Sequence, residues 1–203
     1  MSILLLILLL FFSITLHEYA HGWVAHNLGD PTPKSSGRLT LNPLAHIDPF
    51  GTIILPILLL IVSRGSFSFG YAKPVPINPY HFKNPKKDIL WVGLAGPAAN
   101  FLLALIFTAI LKISNYSFIP EIITEAIVIN VILAVFNLVP IPPLDGSRVV
   151  SAFLPYKLSL VYRKIESVGT FIIMFLIMVG FFRWFILPIV MFIISLLKIK
   201  IVM

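Results

Sequence analysis

Long apolar runs with hardly a charge inside them recur along this chain, and that pattern constrains the fold more than any other feature of the sequence. A helical run of about 20 such residues spans the hydrocarbon core of a bilayer. Inside lipid, every backbone N–H and C=O must find its partner within the protein, so continuous apolar runs of this length read as transmembrane helices. They lie at about Ser2–His26, Ile89–Leu111 and Ile122–Val139, followed by two that nearly touch at about Ser167–Phe182 and Trp184–Leu197. With 59% hydrophobic and 11% charged residues among 203, the composition excludes a water-soluble globule, a disordered tail and a solvated coiled coil. Met1 to Leu16 is uncharged, without a basic start or a small-residue cleavage site, so the first run is expected to be a retained span and not a removed signal peptide.

One further apolar run, Phe50–Val62, is short for a crossing and carries Pro56 in its middle. The basic residues indicate how it lies. If it crosses, 11 Lys and Arg face one side, and Lys34, Arg38, Lys112 and Arg183 face the other. If it dips in and returns, Lys34 and Arg38 join the majority, which leaves Lys112 and Arg183 alone. The excess of Lys and Arg in cytoplasmic loops favours the second arrangement. It places the N-terminus outside, Asn27–Asp88 in the cytoplasm as loop and re-entrant structure, and the C-terminus inside. Irregular backbone at membrane depth is tolerated only inside protein or along a watered cavity, so a cavity is expected beside the re-entrant run. The expected fold is therefore an all-α polytopic membrane protein with about five full transmembrane helices plus a re-entrant segment, or six spans if that segment crosses. A single membrane-embedded domain is expected over residues 1–203, with a core at about 2–150 and additional C-terminal helices at about 165–198. The net charge of +7 sits in short loops flanking the spans, as orientation-setting charge does, and no nucleic-acid partner is expected.

The chain has no cysteine, so any metal site must be built from His, Asp or Glu. The first run carries His17-Glu18-Tyr19-Ala20-His21 in its later half. On a helix, His17 and His21 stack one turn apart on one face, with Glu18 projecting beside them. Two imidazoles so placed suit one zinc ion, and the intervening Glu reaches a water on the metal but not the metal itself. A buried His is more often a hydrogen-bonded core residue than a ligand, and Glu18 could simply pair with an imidazole. Burying all three groups in a bilayer costs a few kcal/mol, which makes a triplet without a task improbable. A catalytic zinc has three protein ligands. Asp48, Asp88 and Glu166 fall at loop or interface positions, and Glu121 and Glu125 at the outer end of their span, which leaves Asp145. Its Pro-Pro-Leu-Asp-Gly setting reads in isolation as a turn. However, His17 lies roughly 22 Å along the helix from the outer end of its span, at a depth similar to that of Asp145.

His17-Glu-Tyr-Ala-His21, Gly96-Pro-Ala-Ala-Asn100 and Asn137-x-x-Pro-x-Pro-x-Leu-Asp145-Gly together resemble the three signatures of the site-2 protease family of intramembrane zinc metalloproteases. The resemblance runs from about Ile3 to Val150. Gly37–Gly51 and Ala72–Asn78 are similar to loops of its compact bacterial branch, which lacks a PDZ domain. It implies a three-helix catalytic core, one zinc ion (Zn2+) per chain held by His17, His21 and Asp145, and Glu18 as catalytic base. For Asn100 and Asn137 it implies substrate-binding roles, with helix packing at Asn100 and a tie between spans at Asn137 as the alternatives. His26, His46 and His81 are expected to be ordinary polar or interface residues.

The implied activity is hydrolysis of peptide bonds within or near transmembrane segments of membrane protein substrates, in a bacterial or archaeal plasma membrane. The partners would be the substrate and the lipid bilayer. An extended substrate is expected to add an edge to a strand in the Gly37–Asn42 region. Two other classes of function fit the same residues: a membrane metal-ion transporter and a catalytically silent scaffold that binds membrane helices. A transporter needs polar groups across the bilayer, and the outer halves of the spans offer little beyond Glu121, Glu125 and Asn130. A scaffold would not require Glu18.

Overall fold

No helix breaker interrupts the chain between Ile3 and His21, and helix α1 runs from Ile3 to Asn27. The computed structural model describes residues 3–65, 68–113 and 119–199. Ser2 of the expected first span and Lys200 of the charge count lie outside them. Along α1 two stripes of i, i+4 spacing are opposed: Leu4, Leu8 and Phe12 are exposed, whereas Ser13, His17 and His21 are buried. A bilayer supplies no hydrophobic drive between helices, so polar and small residues turn inward and large apolar ones face out.

Helix α4 (Pro85–Ile113) shows the same logic, burying Gly93, Gly96, Pro97, Asn100, Ala104 and Thr108. It packs against α1 and along α5 (Ile119–Asn137), whose Ile127 and Val131 are fully buried. The five-residue break after α5 and Leu138–Val139 turns the chain into α6 (Asp145–Phe153), which lies against α4. The turn is tight, since a Cβ on Gly146 would stand 2.2 Å from the Leu138 carbonyl oxygen. Helix α7 (Tyr156–Lys164) leads to α8 (Glu166–Met178) and α9 (Phe182–Leu196), and Ile186, Val190 and Ile194 complete a core with α4 and α5.

The connection between α1 and α4 holds a short helix, α2 (Thr32–Ser35), a 3-10 turn at Pro43–His46 and the apolar helix α3 (Pro49–Val62). Helix α3 starts at Asp48, whose carboxylate accepts from Gly51 N–H at 2.6 Å while Thr52 Oγ1 accepts from Asp48 N–H at 3.0 Å. The chain then returns along the helix. Tyr71 N–H donates to Gly51 C=O at 3.0 Å, Thr52 Oγ1 donates to Tyr71 C=O at 2.8 Å, and Lys73 N–H donates to His46 C=O at 3.0 Å. Residues 49–65 and 68–71 are thus the described arms of a hairpin (49–71) closed at its base, with Phe50, Ile53, Ile57, Ile61 and Val62 exposed.

Among the described residues every regular element is a helix. Two helices, α1 and α4, are long and apolar enough to cross a membrane alone. The two crossings expected at 167–182 and 184–197 are instead one bent pair, α8 and α9, at 73° to each other and at most one broken span or a re-entrant loop. The break is at Gly180, whose φ of +90° a helix cannot accommodate. The strand expected at Gly37–Asn42 is also not formed. Gly37 takes φ +68°, and the N–H groups of Arg38 and Leu39 both turn back to Pro33 C=O, so no edge is presented.

Candidate metal centre

The HEYAH stretch sits on the inner face of α1, opposite the small-residue stripe of α4 and the first turn of α6. His17 Nε2 and His21 Nε2 lie 3.1 Å apart, and each faces Asp145 Oδ2, at 3.0 and 3.1 Å. All three residues are buried, at 6%, 2% and 6% exposure. Asp145 is the first residue of α6, and its other oxygen, Oδ1, accepts from Arg148 Nη1 at 3.3 Å, one turn on.

The outer nitrogens of both rings are spoken for. His17 Nδ1 is 2.5 Å from Asn100 Oδ1, and His21 Nδ1 is 2.6 Å from the Val92 carbonyl oxygen. Both partners are acceptors, so each Nδ1 carries the proton and each Nε2 presents a lone pair. The Asn100 amide orientation is fixed in turn. Its Nδ2 donates to Asn130 Oδ1 at 2.8 Å, and Asn130 Nδ2 donates to Ser13 Oγ at 2.9 Å and to Ala126 C=O at 2.8 Å.

Two imidazole lone pairs and a carboxylate oxygen therefore converge on one point, an arrangement that is repulsive without a cation. Their separations of 3.0 to 3.1 Å approach the ~3.3 Å edge of a tetrahedron with zinc-to-ligand distances of ~2.0–2.1 Å. The helix opposite leaves room: a Cβ built on Gly96 would stand 2.4 Å from His21 Nε2 and 2.5 Å from His17 Nε2. The donor set and the space both fit a tetrahedral metal, and this is the only such cluster of three among the described residues.

Glu18 lies beside the cluster with Oε2 accepting the Val75 N–H at 2.9 Å. Asn137 sits at the end of α5, where its Nδ2 donates to Leu133 C=O at 2.9 Å. The other histidines fall elsewhere. His81 pairs with Asp30 at 2.9 Å, His46 Nε2 meets Thr40 C=O at 3.0 Å, and His26 belongs to no metal cluster. Sequence reasoning missed the Ser13–Asn130–Asn100 chain behind His17. The available signal was Asn130, the one polar residue in the otherwise apolar run 126–136. It also missed Val75, whose contribution is a backbone N–H and leaves no mark on residue type.

The chain matches the model of Peptidase family M50 over residues 5–127 and 114–180. It is 37% identical over 187 residues to "Putative zinc metalloprotease YwhC" of Bacillus subtilis, covering 86% of this chain and 81% of that one. It is 32% identical over 144 residues to "Putative zinc metalloprotease Rip2" of Mycolicibacterium smegmatis, covering 66% of this chain and 51% of that one. A zinc metalloprotease of Methanocaldococcus jannaschii is 28% identical over 157 residues, covering 75% of this chain and 35% of that one. No solved structure matches the chain. The match covers the HEYAH stretch, the Gly-Pro helix and the Leu-Asp-Gly turn alike, and the chain belongs to Peptidase family M50, the site-2 protease family.

Proposed function

We propose that this chain is a zinc metalloprotease that hydrolyses peptide bonds within or beside transmembrane segments of membrane proteins. The observation that carries the reading is the convergence of His17 Nε2, His21 Nε2 and Asp145 Oδ2, with Glu18 following His17 on the helix that bears both histidines. Zinc, when bound, would lower the pKa of its water toward about 7 and polarise the scissile carbonyl. Glu18 would serve as the base, taking a proton from the attacking water and returning it to the leaving amine. Asn100 and the Val92 carbonyl hold the two rings in the tautomer that leaves Nε2 free. Both polar groups of the Asn100 side chain are engaged inside the protein, which favours this orienting role over contact with substrate.

The substrate enters extended, because a helical peptide bond has its carbonyl occupied and its flanks covered. Helix-weakening residues near the cleavage site follow from this. The catalytic core is α1, α4 and α5, with the N-terminus outside; taking α5 as a third crossing beside α1 and α4 and the bent pair α8–α9 as a re-entrant loop, the C-terminus lies in the cytoplasm of a bacterial or archaeal cell. The closed base of the 49–71 hairpin supports the re-entrant arrangement, since the chain leaves and regains the same level.

The test is cleavage of a transmembrane reporter in liposomes by wild type and Glu18→Gln, with zinc measured in both. Cleavage that is lost in a variant still holding zinc supports the reading. Cleavage that persists in the variant overturns the role of Glu18. Metal flux into vesicles, or reporter binding without cleavage, would assign the chain to transport or to scaffolding instead.

A further inference from the structure

The segment 72–78, Ala-Lys-Pro-Val-Pro-Ile-Asn, lies in no helix or strand, and Pro74 and Pro76 bias the residues before them to extended backbone and supply no N–H of their own. Charged side chains hold it instead. Arg38, only 8% exposed, donates from Nη2 to the carbonyls of Lys73 at 2.6 Å and Pro74 at 3.1 Å, and from Nη1 to that of Ala45. Glu18 accepts from Val75 N–H at 2.9 Å, and the fully buried Asp30 accepts from Asn78 N–H at 2.7 Å. Val75 is itself buried against α1, where a Cβ on Gly22 would come within 3.3 Å of its Cγ1.

The Pro74 carbonyl and the Val75 N–H belong to one peptide unit. That unit is planar and trans, so its C=O and N–H point in opposite directions. Arg38 grips the oxygen on one side and Glu18 takes the hydrogen on the other, a cation at the negative end of the peptide dipole and an anion at its positive end. Each bond strengthens the other by polarising the peptide between them. Turning the plane would break both bonds at once. The carboxylate of Glu18 is thus fixed by a guanidinium that never touches it.

We propose that Arg38 is a positioning residue for Glu18, acting through the Pro74–Val75 peptide. The consequence for reaction rests on the protease reading above, whereas the physical connection does not. Two measurements separate them. The first is hydrogen–deuterium exchange over 72–78 in the zinc-loaded protein. Slow exchange in wild type is expected, with faster exchange in Arg38→Met and in Glu18→Gln. The second is reporter cleavage by Arg38→Met, Val75→Pro and the double variant, with zinc content measured throughout. Val75→Pro removes the N–H from an already extended segment and leaves the Arg38 contacts in place.

Each single variant should lose about 10- to 100-fold in kcat, as loss of a supporting partner does, with KM changed less than about threefold and zinc retained. The double variant should be no slower than the worse single one, because both act through one peptide. Arg38→Lys should recover part of the loss, and with Val75→Pro it carries the test if Arg38→Met does not fold. Fast exchange over 72–78 in wild type, multiplying losses in the double variant, or zinc loss in the single variants would each overturn the proposal. Slow wild-type exchange that Arg38→Met releases, in a protein that cleaves no reporter, would uphold the connection and defeat the protease reading alone.

Discussion

Gly96→Ala tests the metal centre with the smallest perturbation available, a single methyl group. The added carbon would stand 2.4 Å from His21 Nε2 and 2.5 Å from His17 Nε2 and Cε1. Carbon and nitrogen in contact need roughly 3.5 Å, so the rings or α4 must retreat by about 1 Å. Ligand distances in a working site tolerate about 0.2 Å. The displacement exceeds that several-fold at two of three ligands, and neither ring can swing away without breaking its Nδ1 bond to Asn100 or Val92. We expect zinc affinity to fall at least about 100-fold, or about 2.7 kcal/mol. Overpacking should cost the fold about 1–3 kcal/mol, so the variant remains a folded protein. The assay is zinc content after equilibration against chelators of graded affinity, with thermal unfolding in detergent as the control for folding. Ala98→Val, on the exposed face of the same helix, should retain zinc. Gly96→Ala that binds zinc as tightly as wild type would refute the placement of the ligands against α4.

Asn100→Ala removes the acceptor from His17 Nδ1 and should weaken zinc about 10- to 100-fold, measured by the same competition. Asn130→Ala, which leaves Asn100 Nδ2 without its partner, should weaken it less, and equal zinc affinity in all three proteins would exclude the network as a support. Asp30 predicts a pH dependence outside the membrane. Burial alone would raise its carboxyl, but hydrogen bonds from Thr32, Asn78 N–H and His81 hold it below the usual value of 3.8. Its contribution is therefore present in full above about pH 4 and disappears as pH falls through the depressed folded value. Protection of 72–82 against exchange should accordingly persist from pH 7 to pH 5 and fail only in stronger acid; loss between pH 7 and 5 would contradict this. The absence of native cysteine makes single-cysteine labelling free of background. Cysteines at Lys34 and Lys73, which flank the 49–71 hairpin, should react from the same side of the membrane, and labelling from opposite sides would show that α3 crosses.

The legibility of this chain differs between its chemistry and its supports. His17, Glu18 and His21 were legible because one helical turn sets their relation and lipid makes a purposeless polar triplet costly. Asp145, 124 residues beyond His21, was reached by eliminating the other acids and by the resemblance of its Leu-Asp-Gly turn, and the close approach of Gly96 needed the fold. The C-terminal pair was misread for a related reason. Hydropathy counts apolar residues and does not register a single Gly180 at φ +90° that turns two runs into one bent unit. The strand at Gly37–Asn42 failed because a helix turn upstream claims its N–H groups, a competition that local composition does not record. Arg38 and Asp30 look in the sequence like ordinary loop charges, and Arg38 entered the reading only as a vote on membrane orientation. In the fold both are buried, and what they grip is backbone. Such residues escape sequence reasoning because their partners are peptide groups, which every residue supplies alike. In a chain with eight acids, the two carboxylates that hold 72–78 in place, Glu18 and Asp30, could not be told apart from the rest by type, only by what the fold brings to them.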